Sequence, residues 1–234
     1  MNELIINGMT SHFVQGLMIL SLPPITKPQM RAQIDEVDGR NGDIITPLGF
    51  KAYDRDVEIG LAKHFDIDEV IDFFNASGEV IFSNEPDKFY TFDILNAIDF
   101  ERLIRFRTAK VVFHCQPFKK SNVEFPLTFE DGLSTGIDVF NNGNYPSMPK
   151  MEIFGGGDID VYINGTKVLD IELGSETSIT IDAAQMEAYN GTTLKNRLVS
   201  GNYDNVVLQK GKNTLGFVGS NVTKVIVSNY SRWI

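Results

Sequence analysis

The stretch Arg102–Pro117 constrains the fold more than any other, because the sequence pattern differs on its two sides. Its apolar residues show no helical period and include many β-branched types, which predicts one long strand buried on much of both faces. Pro117 lacks a backbone N–H and is predicted to end that strand. A mixed pattern with one clear helix precedes the stretch, and short strands separated by glycine turns follow it. We therefore predict two domains, residues 1–121 and residues 122–234.

The strongest turn signal of the first half is Asp38–Gly42, which contains two Asx-Gly dipeptides. It lies between Met30–Val37 and Asp43–Ile45, two segments with strand character. This arrangement predicts a hairpin with an extended tip.

One helix is predicted over Asp66–Ser77. Asp66 is a suitable N-cap, Glu69 completes a pair similar to a capping box, and Gly78 supplies a stop. Its apolar residues follow the i, i+3, i+4, i+7 spacing of a helix that packs one face on a sheet.

Two arginines, Arg105 and Arg107, would share one face of the predicted strand because they are two residues apart. Arginine among apolar residues indicates either an interface or an ion pair within the domain, and the sequence leaves both open.

The second half predicts an all-β domain. About eight short strands follow one another at roughly ten-residue spacing, and Asn164-Gly165 is the turn of an apparent hairpin, which together favour a two-sheet sandwich. The run Gly155–Gly157 is not a phosphate loop, because it lacks the Lys-Ser/Thr ending and a following helix.

Charge and cysteine content restrict the partners and the compartment. The net charge is -10, and residues 1–122 and 123–234 carry -5 each, so neither half has the basic surface of a nucleic-acid-binding protein. Cys115 is the only cysteine and cannot form an internal disulfide, which favours folding in a reducing cytoplasm. We expect no signal peptide, because the N-terminus lacks basic residues and an apolar core. Phe13–Ile25 is too short and interrupted to span a membrane, so no membrane partner is expected.

No catalytic residue, metal ligand or cofactor-binding residue is predicted, and we expect no cofactor. The three histidines, His12, His64 and His114, lack metal-ligand spacing. His114 and Cys115 are adjacent and would point to opposite faces of a strand, so they are not expected to form a nucleophilic pair. Paired carboxylates stay open, because such pairs form in space rather than in sequence.

A further set of segments is informative by its order along the chain: Val37–Asp43, Arg107–Pro117, Asn142–Pro149, Ile153–Gly157, Val161–Gly165 and Lys210–Leu215, with Trp233 near the end. In this order they resemble the distal tail proteins of long, flexible-tailed (siphovirus-type) bacteriophages and prophages. In the first of them, Asn41 stands where that family usually has Asp.

The resemblance implies an N-terminal β-sandwich with one helix and an extended hairpin, and a C-terminal sandwich that is galectin-like or carbohydrate-module-like. Six copies of the N-terminal domain would close into a homo-hexameric ring. The ring would join the tail tube to the tail-tip or baseplate proteins, with DNA only as passing cargo. The protein would be made in the host cytoplasm and reside in the virion tail. Our candidate interface residues are Gly39, Arg40, Asn41, Gly42, Arg105 and Arg107.

Two alternatives remain at this stage. A carbohydrate-binding module for host-surface saccharide would need exposed aromatic residues, and Tyr162 and Tyr203 are weak candidates for that contact. A cell-wall hydrolase is less favoured, because fold does not imply function and no site is visible in the sequence.

Overall fold

Antiparallel strands make up most of the chain, and the predicted mainly β fold class is confirmed. The computed structural model describes residues 2–219 and 221–234. Its contacts divide the chain into two units, one with the residues up to Asn122 together with Ile234, the other with Val123–Trp233.

The first unit has nine strands and two α-helices among its described residues. Seven strands form one antiparallel sheet in the order β2-β1-β7-β8-β9-β6-β3, and β4 pairs with β5 in a separate hairpin. The elements are β1 (Leu4–Ile6), β2 (Met9–Thr10), β3 (Leu17–Ser21), β4 (Met30–Asp35), β5 (Ile44–Phe50), β6 (Tyr53–Leu61), α1 (Ile67–Phe74), β7 (Ser77–Phe82), β8 (Lys88–Asp93), α2 (Phe100–Phe106) and β9 (Thr108–Ser121), with a short 3-10 turn at Ser11–Phe13.

Helix α1 begins where the Asp66 cap predicted it, but it ends at Phe74, and Gly78 lies in β7 instead of stopping the helix. The Asp66 side chain accepts hydrogen bonds from the backbone N–H groups of Asp68 and Glu69, at 2.9 and 3.3 Å. Phe74 is buried and meets the Phe113 ring of β9 edge-on at 6.4 Å between ring centroids. The helix therefore covers the sheet with its apolar face.

Two predictions for the stretch 102–117 are wrong. Residues Arg102–Phe106 belong to α2 and not to a strand, so the first unit has a second helix besides the predicted one. Pro117 also does not end the strand, because β9 continues to Ser121. The register of β9 against β8 shifts between two pairs of opposed residues, Tyr90 with Lys119 and Phe92 with Cys115. Pro117 lies within this irregularity, where no backbone N–H is needed for a hydrogen bond to β8.

The second unit is a two-sheet sandwich, as predicted. One sheet has the order β10-β20-β12-β15-β16-β17 and the other β11-β19-β13-β14-β18, and side chains from both form one buried core. The strands are β10 (Leu127–Phe129), β11 (Ile137–Asn141), β12 (Lys150–Phe154), β13 (Asp158–Ile163), β14 (Thr166–Glu172), β15 (Ser178–Asp182), β16 (Glu187–Asn190), β17 (Thr193–Leu194), β18 (Val199–Gly201), β19 (Gly211–Gly219), β20 (Lys224–Ser228) and β21 (Arg232–Trp233), with 3-10 turns at Asn196–Leu198 and Tyr203–Asn205.

The Asn164-Gly165 hairpin between β13 and β14 is confirmed. Both residues have positive φ, 51° and 80°, as a tight two-residue turn between antiparallel strands requires. Val206–Leu208 forms no strand, and among the described residues it contributes one isolated bridge, from Leu208 to Ser147.

Candidate functional site

The hairpin of β4 and β5 is the most exposed regular element of the first unit. Its register runs from Met30 opposite Phe50 to Asp35 opposite Ile44, and within the described residues neither strand pairs with any other. An isolated two-stranded hairpin is at best marginally stable in water, and clustered exposed apolar side chains indicate a binding surface. Six large apolar side chains of the hairpin are 38–60% exposed: Met30, Ile34, Val37, Ile44, Ile45 and Leu48.

The predicted interface residues of the turn lie at the far end of this hairpin. Gly39 and Gly42 both have φ of +81°, and a Cβ at either position would meet no atom within 4 Å. The side chains of Arg40 and Asn41 are exposed. The structure therefore places all four residues together at a solvent-exposed tip, where the glycines are required by the backbone conformation.

The base of the hairpin is attached to the sheet. The Phe50 ring at the end of β5 meets the Phe118 ring of β9 edge-on at 5.8 Å between centroids. In the segment that leads to β4, the carbonyl of Pro23 accepts a hydrogen bond of 2.9 Å from the Asn84 side chain. These contacts hold the base, while the rest of the hairpin is largely exposed and pairs with no other described strand.

Arg55 of β6 makes a further attachment from inside the sheet. Its side chain is only 2% exposed, and Nη2 donates to the carbonyl of Pro24 at 3.2 Å. Nη1 donates to the hydroxyls of Tyr90, at 2.7 Å, and Tyr53, at 3.2 Å. The guanidinium also lies over the rings of Tyr90 and Phe82, at 4.4 and 5.0 Å from their centroids.

A buried carboxylate completes this network. Glu85 accepts hydrogen bonds from the Tyr90 hydroxyl and from Lys119 Nζ, the latter at 2.9 Å. Burial, together with the hydrogen bond to Glu85, raises the pKa of Tyr90. Its hydroxyl therefore stays protonated and donates a hydrogen bond to the carboxylate. Arg55, Lys119 and Glu85 are all at most 8% exposed, so one carboxylate compensates two cations.

Sequence reasoning missed this network, although one signal was present. Side chains of a strand alternate between its two faces, and Arg55 falls on the same face as three buried apolar residues of β6: Val57, Ile59 and Leu61. The alternation in the sequence therefore indicates that Arg55 is buried.

The predicted arrangement of Arg105 and Arg107 on a strand face is wrong. Arg105 lies in the last turn of α2, and Arg107 follows the helix as its cap with a left-handed φ of 62°. The helix begins because the Asp99 carboxylate accepts a hydrogen bond of 2.8 Å from the backbone N–H of Arg102.

The two arginines have different surroundings. Arg107 lies over the Phe65 ring at 4.7 Å and donates to the carbonyl of Ala62 at 3.3 Å, which is a role within the domain. The Arg105 guanidinium lies 5.4 Å from the centroid of its neighbour Phe106 and has no carboxylate partner among the residues that the structure describes. An interface role therefore stays open for Arg105.

The two candidate saccharide residues are not brought together. Tyr162 of β13 lines a shallow cavity of about 230 Å³ beside Thr214 and Gly216 of β19. Tyr203 does not line this cavity; it packs against the sandwich core, and its hydroxyl is buried with no hydrogen-bond partner among the described residues.

Cys115 and His114 do not form a nucleophilic pair. His114 Nδ1 is 2.8 Å from the Asp54 carboxylate on the exposed side of β9, whereas Cys115 is fully buried. Burial raises the pKa of the Cys115 thiol to about 12, so the thiol is protonated at neutral pH. Across the described part of the chain, no three His, Cys, Asp or Glu side chains are grouped so that they could hold a metal ion. Neither described helix has the length and apolar character needed to cross a membrane.

No protein-family model and no curated protein sequence matches the chain. Among solved structures it is similar to SPP1 Dit (gp 19.1), described as a paradigm of the hub adsorption apparatus in phages that infect Gram-positive bacteria. The sequence identity is 15%, the TM-score is 0.68, and the match covers 100% of both chains. The fold implied by the resemblance to distal tail proteins is therefore confirmed.

Two further similar chains come from the activated baseplate of phage p2. The one from the structure with Sr has 12% identity and a TM-score of 0.49, over 97% of this chain and 98% of that chain. The one from the structure with Ca has 11% identity and a TM-score of 0.45, over 94% and 91%.

Proposed function

We propose that this chain is a structural component of a phage tail, a hub that joins the tail tube to the tail-tip or baseplate proteins. The observation that carries the proposal is the likeness in fold to SPP1 Dit over the whole of both chains, since that protein is described as a hub. In this role the protein resides in the virion tail, acts through its shape, and catalyses no reaction. Because one fold can serve several functions, the proposal also needs support from the surface of this chain itself.

The exposed hairpin supplies that support. In the proposal six copies close into a ring, and each first domain, residues 1–121, contacts the next through two different patches. The hairpin is suited to be one of these patches, because it presents exposed apolar side chains and pairs with no other strand among the described residues.

The acidic character of the chain suits the passage of DNA. With a net charge of -10, the wall of a central channel would repel the phosphate backbone rather than bind it. DNA is then cargo that passes through the ring.

The mass of the particle in solution tests the ring. One chain has a mass of 26.2 kDa, so a hexamer has six times this mass, about 157 kDa, which native mass spectrometry or light scattering resolves from smaller species. Negative-stain images should show a ring with a central opening. A mass of 26.2 kDa at every protein concentration would contradict the ring.

A second candidate function is binding of saccharide on the host surface by the second domain, residues 122–234. The cavity beside Tyr162 favours it, because an aromatic ring next to hydroxyl groups can hold a sugar ring. Screening of the intact protein on a glycan array, with Tyr162→Ala as the comparison, tests this role. Signals that the substitution leaves unchanged would remove this cavity from consideration.

A further inference from the structure

A ring closed by the hairpin needs a receiving surface on the next copy. We propose that helix α2 of one copy receives the hairpin tip, residues 34–45, of its neighbour. This inference rests on the proposed ring and names the two patches that form its repeating contact. The argument uses the charge, exposure and unpartnered side chains of the two elements.

The hairpin tip is acidic and apolar. It carries four carboxylates and one arginine, which gives a net charge of -3, and all of these side chains are exposed. Four of its apolar side chains are exposed by 38–60%. The carboxylates are those of Asp35, Glu36, Asp38 and Asp43; the arginine is Arg40; the apolar side chains are those of Ile34, Val37, Ile44 and Ile45.

Helix α2 carries two arginines and one carboxylate, that of Glu101, so its net charge is +1, opposite in sign to that of the tip. Its Arg102 and Arg105 guanidinium groups have no carboxylate partner among the described residues. Ile104 is 43% exposed and Phe106 is 62% exposed, while Leu103 is the only fully buried residue of the helix. A helix of this length is not stable by itself and depends on contacts with its surroundings. Its exposed apolar side chains indicate a surface that is covered in the assembly.

The helix also provides space for a side chain of the tip. A groove of about 430 Å³ is lined by Arg102, Arg105 and Phe106 together with two acidic residues, Asp99 and Glu101. The Asp99 carboxylate is already engaged as the cap of α2, where it accepts the backbone N–H of Arg102. An apolar side chain such as that of Val37 can enter this groove, while the arginines at its rim face the carboxylates of the tip. Apolar contact would supply stability, and the charges would select the orientation.

A second copy of the chain is the occupant that these features favour. Both patches belong to the first unit and both are exposed within a single chain, so they do not satisfy each other there. One copy offers both a tip and a helix, which makes the contact heterologous and able to repeat around a closed ring. Arg107 is not part of the proposed contact, because it already contacts Phe65 and Ala62.

Cysteine cross-linking of the intact chain tests the contact. Cys115 is fully buried, so the native protein offers no accessible thiol of its own. In a chain with both Val37→Cys and Ile104→Cys, a short bifunctional maleimide should give a ladder of covalent oligomers that ends at the ring. A mixture of the two single variants should give covalent dimers, whereas either variant alone should stay monomeric on a denaturing gel.

A matched control uses a thiol elsewhere. Val37→Cys combined with Val218→Cys should cross-link at least tenfold less, since Val218 is equally accessible, with 45% exposure, but lies in the second unit. Equal cross-linking in this pair would overturn the proposed contact.

Charge reversal gives an independent measurement. Arg102→Glu with Arg105→Glu should weaken assembly by about tenfold or more, and Asp35→Lys with Asp38→Lys should do the same. Chains that carry both pairs of changes should assemble again. Lys63→Glu, an exposed charge reversal outside α2, is the control and should leave assembly unchanged.

The outcomes separate the contact from the ring. A ring of unchanged mass without cross-links between positions 37 and 104 would overturn the contact and leave the proposed function in place. A single-chain mass at every concentration would overturn both. Cross-linked ladders together with rescue by the combined charge reversal would support both.

Discussion

Replacement of Glu85 by Gln should destabilise the first domain by about 3–5 kcal/mol, the usual cost of removing one partner of a buried charge pair. Among the residues that the structure describes, Glu85 is the only carboxylate hydrogen-bonded to Lys119, and through Tyr90 it also compensates Arg55. Both cations are at most 4% exposed, so water cannot replace the lost charge.

The comparison with Lys119→Met makes this prediction specific. Removal of Lys119 leaves one cation and one carboxylate in the network, so the charge stays balanced. The expected cost is then about 1.5–3 kcal/mol, that of a lost hydrogen bond to a charged group. Glu85→Gln should therefore be the more damaging of the two substitutions, although both remove the same ion pair between Lys119 and Glu85.

Hydrogen exchange measured by mass spectrometry on the intact chain is the assay. Since each 1.4 kcal/mol is a factor of ten, Glu85→Gln should accelerate exchange of the most protected amides in β8 and β9 about 100- to 4,000-fold. The strands β12 and β20 belong to the other unit and serve as the internal control. If Lys119→Met accelerates exchange as much as Glu85→Gln, the reasoning from charge imbalance is refuted.

Three further predictions concern single positions. Gly16→Ala should lower the free energy of unfolding in urea by about 3 kcal/mol or more, because φ is +77° and a Cβ would lie 2.2 Å from the carbonyl oxygen of His64. Gly39→Ala, with φ of +81° in open space, should lower it by only about 1–2 kcal/mol. Equal losses for the two variants would contradict this prediction. Cys115 should react with a maleimide at pH 8 only after unfolding, since burial raises its pKa to about 12, and stoichiometric labelling of the native chain would be the contrary result. Burial raises the pKa of Glu124, so its charge costs stability at neutral pH and the folded state gains stability as the pH falls through the folded-state pKa. Glu124→Gln should therefore stabilise the folded state at pH 7 by about 0.5 kcal/mol, seen in calorimetry as a higher melting temperature. The gain should be smaller at pH 4. A lower melting temperature at pH 7 would contradict the prediction.

Elements that depend on neighbouring residues could be predicted from the sequence. Helix α1 follows from the Asp66 cap and its apolar spacing, and the turns at Gly39, Gly42 and Gly165 follow from positive φ values that glycine adopts without strain. In each case the decisive interactions lie within a few residues along the chain.

The sequence does not distinguish helix α2 from a strand, because its pattern is ambiguous. Leu103, Ile104 and Phe106 fit neither period clearly over seven residues, and a short apolar run does not distinguish helix from strand. The decisive signal, the Asp99 cap, lies before Arg102, where the predicted strand begins. At Pro117 the outcome depends on a register shift against β8, which no local pattern contains.

The order of residues by itself determined the mainly β class, the sandwich of the second half and the exposed turn of the hairpin, because alternation and turn chemistry act over short distances. Only the tertiary structure decided that Arg55, Glu85 and Lys119 meet inside the first unit, since they come from separate segments that the sheet brings together. It also decided that the hairpin and α2 stay uncovered within one chain. A sequence pattern shows which residues share a face, but which faces become buried depends on how the strands pair.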